Sequence, residues 1–347
     1  LHLSLRRQRQ MCIRDSCFTQ FFLVLSVLIL MKCSRILKYI IFICLFFCAA
    51  KGQAQFDARF SQYWEVKGYY HPGWVGQTDN KMNIYGSYGM QLMGFTHAPR
   101  VMYFGADMPF TLFNKQHGVG VGFFNEGIGL FRNQRFWGQY AYQMKIRKGK
   151  LGIGLQVGML TVSFDPSDIN LGDETDDEAF PTAAESGMAV DLGLGGYYSH
   201  PKFYAGFSAH HLTAPRVSLG DKSQIKIHPI FYLTGGYNIQ TRNPLISIQP
   251  SMQLQSDFTS TRLDVTGRLF YTYHSRVLSG GLTYSPDTSV TFSFGLTVRG
   301  VTLGYAYECF TSKIGVASGS HDLVVRYALD LNVFKKNRNL HKSVRIL

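Results

Sequence analysis

Leu151-Gly-Ile-Gly-Leu-Gln-Val-Gly-Met159 decides how the rest of this chain reads. Leu151, Ile153, Leu155, Val157 and Met159 take every second position, and Gly152, Gly154, Gln156 and Gly158 fill the places between them. Successive side chains of an extended backbone point to opposite faces, so this is a strand with one apolar face and one small or polar face. A helix would need apolar residues every three to four positions, and that spacing is missing.

The same alternation recurs along the chain. Val290, Phe292, Phe294, Leu296 and Val298 alternate with Thr291, Ser293, Gly295, Thr297 and Arg299. Phe136, Tyr140, Tyr142, Met144 and Ile146 stand against Gln139, Gln143, Lys145 and Arg147, and Leu323, Val325, Tyr327, Leu329 and Leu331 against Asp322, Arg326 and Asp330. Weaker versions lie near 82–93, 98–108, 117–125, 187–198, 202–211, 228–240, 245–256, 262–273, 276–285 and 301–310. Each run has about ten residues, the length a tilted strand needs to cross a bilayer. Turn-forming pairs such as Lys148-Gly149, Pro286-Asp287 and Arg299-Gly300 separate them.

The expected fold is therefore all-β: a transmembrane antiparallel β-barrel of about 14 strands over residues 82–334, preceded by a signal peptide. A soluble sandwich or propeller also alternates, but its strands are usually shorter and no blade-like repeat is visible. No apolar run after Gln55 approaches the 18 residues that a membrane helix requires. Closing the sheet into a barrel pairs every backbone group in lipid, which an open sheet cannot do.

Composition agrees with an exported, charge-poor body. Charged residues are 16% of the chain and aromatics 14%, with 35 glycines, against roughly 25% charged and 7% glycine in an average protein. The net charge of +13 invites a nucleic-acid reading, but its distribution excludes one. Eight of the 35 basic residues and one of the 22 acids lie in 1–54, leaving 27 against 21. Lys335, Lys336, Arg338, Lys342 and Arg345 of the tail account for five of that excess. Of the six cysteines only Cys309 lies after residue 54, so the body forms no internal disulfide.

From Met31 the chain shows a basic start (Lys32, Arg35, Lys38), an apolar run from Tyr39 to about Ala50, and small residues at Gly52 and Ala54. This is the pattern of a secretory signal peptide over 31–54, with cleavage expected between Ala54 and Gln55. Acylation at Cys48 is disfavoured because Phe46 and Phe47 occupy positions where small residues are expected. Residues 1–30 duplicate such a leader and read as a non-native or mis-annotated extension. Residues 55–81 read as a periplasmic or plug-like N-terminal segment, and 335–347 as a basic, disordered tail. The last strand runs Tyr327-Ala-Leu-Asp-Leu-Asn-Val-Phe334 and closes on an aromatic, similar to the terminal signal that barrel-assembly machinery reads.

Short motifs in a fixed order add a resemblance. Phe60-Ser-Gln-Tyr63 is followed by Tyr69-Tyr-His-Pro-Gly-Trp-Val-Gly76, with Pro72 and Gly76 at the anchor positions. Thr96-His-Ala-Pro99, Gly118-Val-Gly-Val-Gly122, Tyr140-Ala-Tyr142 and Gly304-Tyr-Ala-Tyr307 follow, and then Ser318-Gly319-Ser320-His321-Asp322. In this order they resemble the PorP/SprF family of type IX secretion proteins, over essentially all of 55–334. His71 stands where that family usually has Asn, and Trp74-Val75 where it has Ala-Tyr. The resemblance implies an integral outer-membrane barrel of Bacteroidetes that binds a secreted or surface-anchored partner, such as an adhesin, and supports its export or attachment. It implies contacts with other secretion components, and neither a cofactor nor nucleic acid. A porin or hydrophobic-solute channel is the alternative that the barrel pattern leaves open.

Chemistry-bearing residues are sparse, and no enzyme site is expected. The acidic stretch 165–178, with Asp173, Asp176, Asp177 and Glu178, offers oxygen ligands for calcium but lacks EF-hand spacing, and an ordinary polar outer loop is the favoured reading. His210 and His211, with Ser208 nearby, suggest a lipase-like pair. Adjacent strand residues point to opposite faces, so at most one of the histidines could serve, and the pair is not expected to form a site. Tyr63, Trp64, Tyr69, Tyr70 and Trp74 form an aromatic group that suits a binding platform, a membrane-interface girdle or a lumenal plug.

Overall fold

The computed structural model describes residues 57–167, 184–220, 223–311 and 319–331. A short lead-in holds one helical turn, α1 (Lys67–Tyr70), and a 3-10 turn (Pro72–Trp74). Then come β1 (Lys81–Met90), β2 (Arg100–Leu112), β3 (Lys115–Ile128), β4 (Phe131–Ile146), β5 (Gly149–Phe164) and β6 (Glu185–Ser199). The middle supplies β7 (Phe203–His210), β8 (Arg216–Leu219), β9 (Ser223–Lys226), β10 (Ile230–Tyr237) and β11 (Ile239–Gln240). The remainder is β12 (Ile246–Ser256), β13 (Thr261–Tyr273), β14 (Arg276–Ser285), β15 (Ser289–Val298), β16 (Val301–Phe310) and β17 (Ser320–Asp330).

Sequential strands pair antiparallel, and β1 also pairs with β17, Lys81 opposite Asp330 and Met90 opposite His321. On the far side of the ring β10 bonds to both β7 and β12, with β11 continuing the same stave. Fourteen staves thus form a closed antiparallel barrel, the fold class expected from the alternation. Among the described strands, β8 and β9 alone stand outside the ring, as a separate two-stranded hairpin. The turn between β12 and β13 is held by its own bonds, Thr259 N and Ser260 N donating to Asp257 Oδ1 at 2.8 and 2.6 Å.

The two faces separate as the alternation requires. Ile153, Leu155, Val157 and Met159 of β5 are exposed to the outside, as are Phe292, Phe294 and Leu296 of β15. Gln156, Ser293 and Thr291, one position away, are buried inside. No helix among the described residues is long and apolar enough to cross a membrane; strands do the crossing.

One end of the barrel is closed by short turns, at 113–114, 147–148, 200–202, 241–245, 274–275 and 299–300. The other end carries the long connections 91–99, 165–184, 211–229 and 311–319, together with the short turns 129–130 and 286–288. In bacterial outer-membrane barrels short turns face the periplasm and longer loops the outside, which orients the molecule. The β8–β9 hairpin sits at the long-loop end, within 211–229. Its Val217 and Ile227 bury against Leu160 and Val162 of β5, with Phe131, Ala189 and Ile225 packed around them.

Candidate functional site

The lumen is occupied, and the residues that occupy it are 57–80. They begin near the long-loop end, where Asp57 meets Arg135 of β4 and Tyr232 of β10, and leave at the short-turn end, where Asp79 pairs with Lys150 of β5. Between these points the segment bonds to the wall on nearly every side.

Two charged anchors hold its start. Asp57 Oδ1 accepts from Arg135 Nη1 at 3.2 Å and lies 3.2 Å from His211 Nε2, while Tyr232 OH donates to Oδ2 at 2.6 Å. Asp57 precedes the strands; burial pushes its carboxyl up, but the Arg135 guanidinium and then His211 outweigh this and hold it well below the usual carboxylate range. Two residues on, Arg59 reaches the opposite wall, 3.5 Å from Asp264 of β13 and paired with Glu308 of β16. Arg262 completes that cluster, Nε donating to Asp264 Oδ1 at 3.0 Å. Asp57 and Arg59 are each neutralised locally, which is what removing a charge from water demands.

Next comes the Phe60–Tyr63 stretch. Ser61 N donates to Asp322 Oδ2 at 2.8 Å, Gln62 Nε2 to Asp322 O at 3.4 Å, and Ser87 Oγ to Asp322 Oδ1 at 3.1 Å. Two motifs some 260 residues apart in sequence therefore meet on one carboxylate. Tyr63 OH lies 2.9 Å from Ser251 Oγ. Phe60 fills an aromatic core with Tyr69, Tyr70, Tyr103, Phe124 and Trp137. Phe60 stands edge-on to Tyr69 at 4.9 Å, and Tyr103 stacks on Trp137 at 5.9 Å. Each such pair adds about 0.5–1.5 kcal/mol beyond the area it buries. An apolar core inside the barrel departs from the small or polar inner face expected from β5, because Tyr103, Phe124 and Trp137 of β2, β3 and β4 point inward to meet the segment.

The segment then presses against bare backbone. A Cβ on Gly118 of β3 would overlap the Val75 carbonyl, and one on Gly152 or Gly154 of β5 would overlap Gly73 or Pro72. Gly76 itself has φ +72°, a left-handed turn that redirects the chain toward β1. Gln143 Nε2 donates to Val75 O at 2.7 Å, and Gln139 Nε2 to Gly68 O at 2.7 Å. Lys67 Nζ lies 4.3 Å from the Trp74 ring. Gly118, Gly152 and Gly154 are thus clearance for the lumenal segment.

The family model described as type IX secretion system membrane protein PorP/SprF matches residues 52–327. The chain belongs to the PorP/SprF family. It is an outer-membrane barrel of type IX secretion. None of the curated proteins matches this PorP/SprF chain. Among solved structures, the CymD monoaromatic hydrocarbon channel is similar at 11% identity and TM-score 0.45, covering 80% of this chain and 94% of that one. A TodX monoaromatic hydrocarbon channel variant follows at 9% identity and TM-score 0.44, covering 77% and 94%. BamA from Haemophilus ducreyi lacking POTRA domains 1–3 has 9% identity and TM-score 0.40, covering 73% and 71%.

The remaining family-motif residues of this PorP/SprF barrel fall in two places. Pro72 packs on Gly154 and Gly195 within the lumen. At the long-loop end Pro99 O accepts from Gln91 N at 2.9 Å, Gly319 O from Met93 N at 2.9 Å, and Ser320 Oγ from Leu92 N at 3.0 Å. Gly319 and Ser320 thus tie the β16–β17 connection to the β1–β2 loop. His321 Nδ1 lies 2.7 Å from Tyr305 OH on the outer face.

His210 and His211 do not point to opposite faces. Both are buried in the lumen, because β7 ends at His210 and His211 turns the chain at φ +56°. His210 Nε2 donates to Tyr70 O at 2.8 Å, as does Ser208 Oγ at 2.6 Å. Both are therefore occupied in holding the segment, away from the lipid-facing wall where a lipase pair would sit. Past the strand end, burial works against protonation of His211, yet Asp57 and Asp191 lift it to about 9. The calcium candidates Asp173, Asp176, Asp177 and Glu178, the cleavage pair Ala54–Gln55 and Phe334 lie outside the described residues. No group of metal ligands occurs among the described residues. Sequence reading missed the β8–β9 hairpin, whose signal was Val217-x-Leu219 and Ile225-x-Ile227 either side of Gly220.

Proposed function

We propose that this barrel acts in type IX secretion as a closed docking protein: it binds a secreted or surface-anchored partner, such as an adhesin, at its long-loop end and supports export or attachment. The observation that carries this reading is the occupied lumen, in which residues 57–80 run from one end to the other with charged anchors at both. A filled barrel has little use as a conduit, so its working surface is the mouth where the loops gather. The β8–β9 hairpin, the β1–β2 loop and the Gly319–Ser320 turn supply that surface.

Two measurements test it. Crosslinking in native membranes followed by purification is expected to recover a secreted protein joined to residues of the long loops. In planar bilayers the purified barrel is expected to show no large, constitutively open conductance. A steady porin-like current would favour the rival reading, an outer-membrane channel for solutes.

A further inference from the structure

We infer that the short-turn rim of the barrel binds anionic phospholipid headgroups around its whole circumference. Each of the six short turns carries or adjoins an exposed cation: Lys115, Arg147, Lys202, Arg242, Arg276 and Arg299 in ring order. The described acids at this end are Asp79 and Asp330, and Asp79 is paired with Lys150. At the long-loop end cations such as Arg132 and Arg216 are accompanied by acids such as Asp165 and Asp287. The barrel body is nearly neutral as a whole, but its exposed cations gather at this rim while most of its acids lie elsewhere.

The level of that rim in the membrane follows from its neighbours. Phe113 in the β2–β3 turn is 88% exposed, and Tyr237 and Tyr273 also stand out from the wall. Aromatic side chains settle at the boundary between hydrocarbon and water, which places the adjoining cations among the headgroups. A Lys or Arg near an anionic bilayer surface gains attraction that falls away within a Debye length.

The choice of a lipid surface over an acidic protein rests on distribution. The cations occupy every turn of this rim, from β2–β3 through β6–β7 to β15–β16. A globular partner touches one sector of a ring; a bilayer surrounds it. This inference is independent of what binds at the opposite mouth.

The test uses the full-length barrel in vesicles of zwitterionic phosphatidylcholine mixed with phosphatidylglycerol, followed by polymer extraction and mass spectrometry of the lipids that remain. Phosphatidylglycerol is expected to be enriched roughly fivefold over the bulk mixture at low salt, and the enrichment is expected to fall at high salt. Arg147→Ser with Lys148→Ser on one side, and Arg276→Ser with Arg299→Ser on the other, are expected each to lower it in part, and together further. Heat-modified gel mobility confirms that each variant is folded. Retained lipid of bulk composition overturns the inference. Loss of all enrichment from one pair alone also overturns it, because that result marks a single-sector site.

Discussion

Asp57 and Arg135 meet at 3.2 Å with side chains only 2% and 1% exposed, which fastens the lumenal segment to the barrel wall. Arg59 fastens the same stretch to the opposite wall through Asp264 and Glu308.

Asp57→Asn is expected to destabilise the folded barrel by about 3–5 kcal/mol, because Arg135 keeps its charge in a buried site with its counter-ion removed. The double variant with Arg135→Met is expected to recover part of the loss, since no charge is then stranded. Chemical denaturation in lipid vesicles reads both. Equal stability of Asp57→Asn and the native chain would show that the pair does not anchor the segment.

The same anchor makes the segment sensitive to alkali. The pKa of His211 is raised from 6.5 to about 9, against the effect of burial, by the charge of Asp57 and bonds to Asp191 and Asp57. A group raised on folding stabilises fully below its unfolded value and loses that contribution as pH climbs through its folded value. Docking is therefore expected to weaken between pH 6.5 and about 9. Asp57, held below its ordinary 3.8, acts on the other limb: its contribution is present above that value and fades only in stronger acid. Trypsin cleavage at Arg59 and Lys67, followed across pH, reports release of the segment. His211→Gln should flatten the alkaline limb; an unaltered profile in that variant would assign the change to another group.

The wall was legible in the sequence, and a plug-like segment over 55–81 was among its readings, but the contacts that hold the segment were not. Fourteen strands could be read because lipid demands an apolar side chain at every second position, as in Leu155 and Phe294, and that demand is local. What fills the barrel is set by contacts between distant residues. Ser61 and Asp322 lie 261 positions apart, and nothing in either neighbourhood announces the other. Trp137 looks like any strand aromatic until Tyr69 and Tyr103 are placed against it. The alternation rule misplaced His211 because a rule about strands says nothing at the residue where a strand ends. The glycines of β5 were visible as a small face, but their purpose needed Pro72 and Gly73 beside them.

Those glycines give a direct test of the filled lumen. Gly118→Val and Gly152→Val are expected to expel or distort residues 72–76, costing 1–3 kcal/mol or more, roughly the range for overpacked sites. Gly138→Val is the control: it faces outward and an added Cβ meets nothing within 4 Å. Current through planar bilayers is expected to rise for the first two variants and stay unchanged for the third. If all three remain silent and equally stable, the segment does not press on the wall as described.

Leu155 and Phe294, 42% and 64% exposed on the outer face, test the wall itself. Lys at either position places an ammonium group in hydrocarbon, at a cost of about 2–4 kcal/mol near the bilayer midplane and less toward its edges. The relevant comparison is Leu155→Phe, which changes volume on the same face without adding charge. Folding yield into lipid vesicles is expected to drop for Leu155→Lys and Phe294→Lys and to hold for Leu155→Phe. Thinner bilayers should narrow the difference, because the lysine then reaches the headgroups more easily. Native yield of Leu155→Lys in thick bilayers would mean that this face of β5 does not contact lipid.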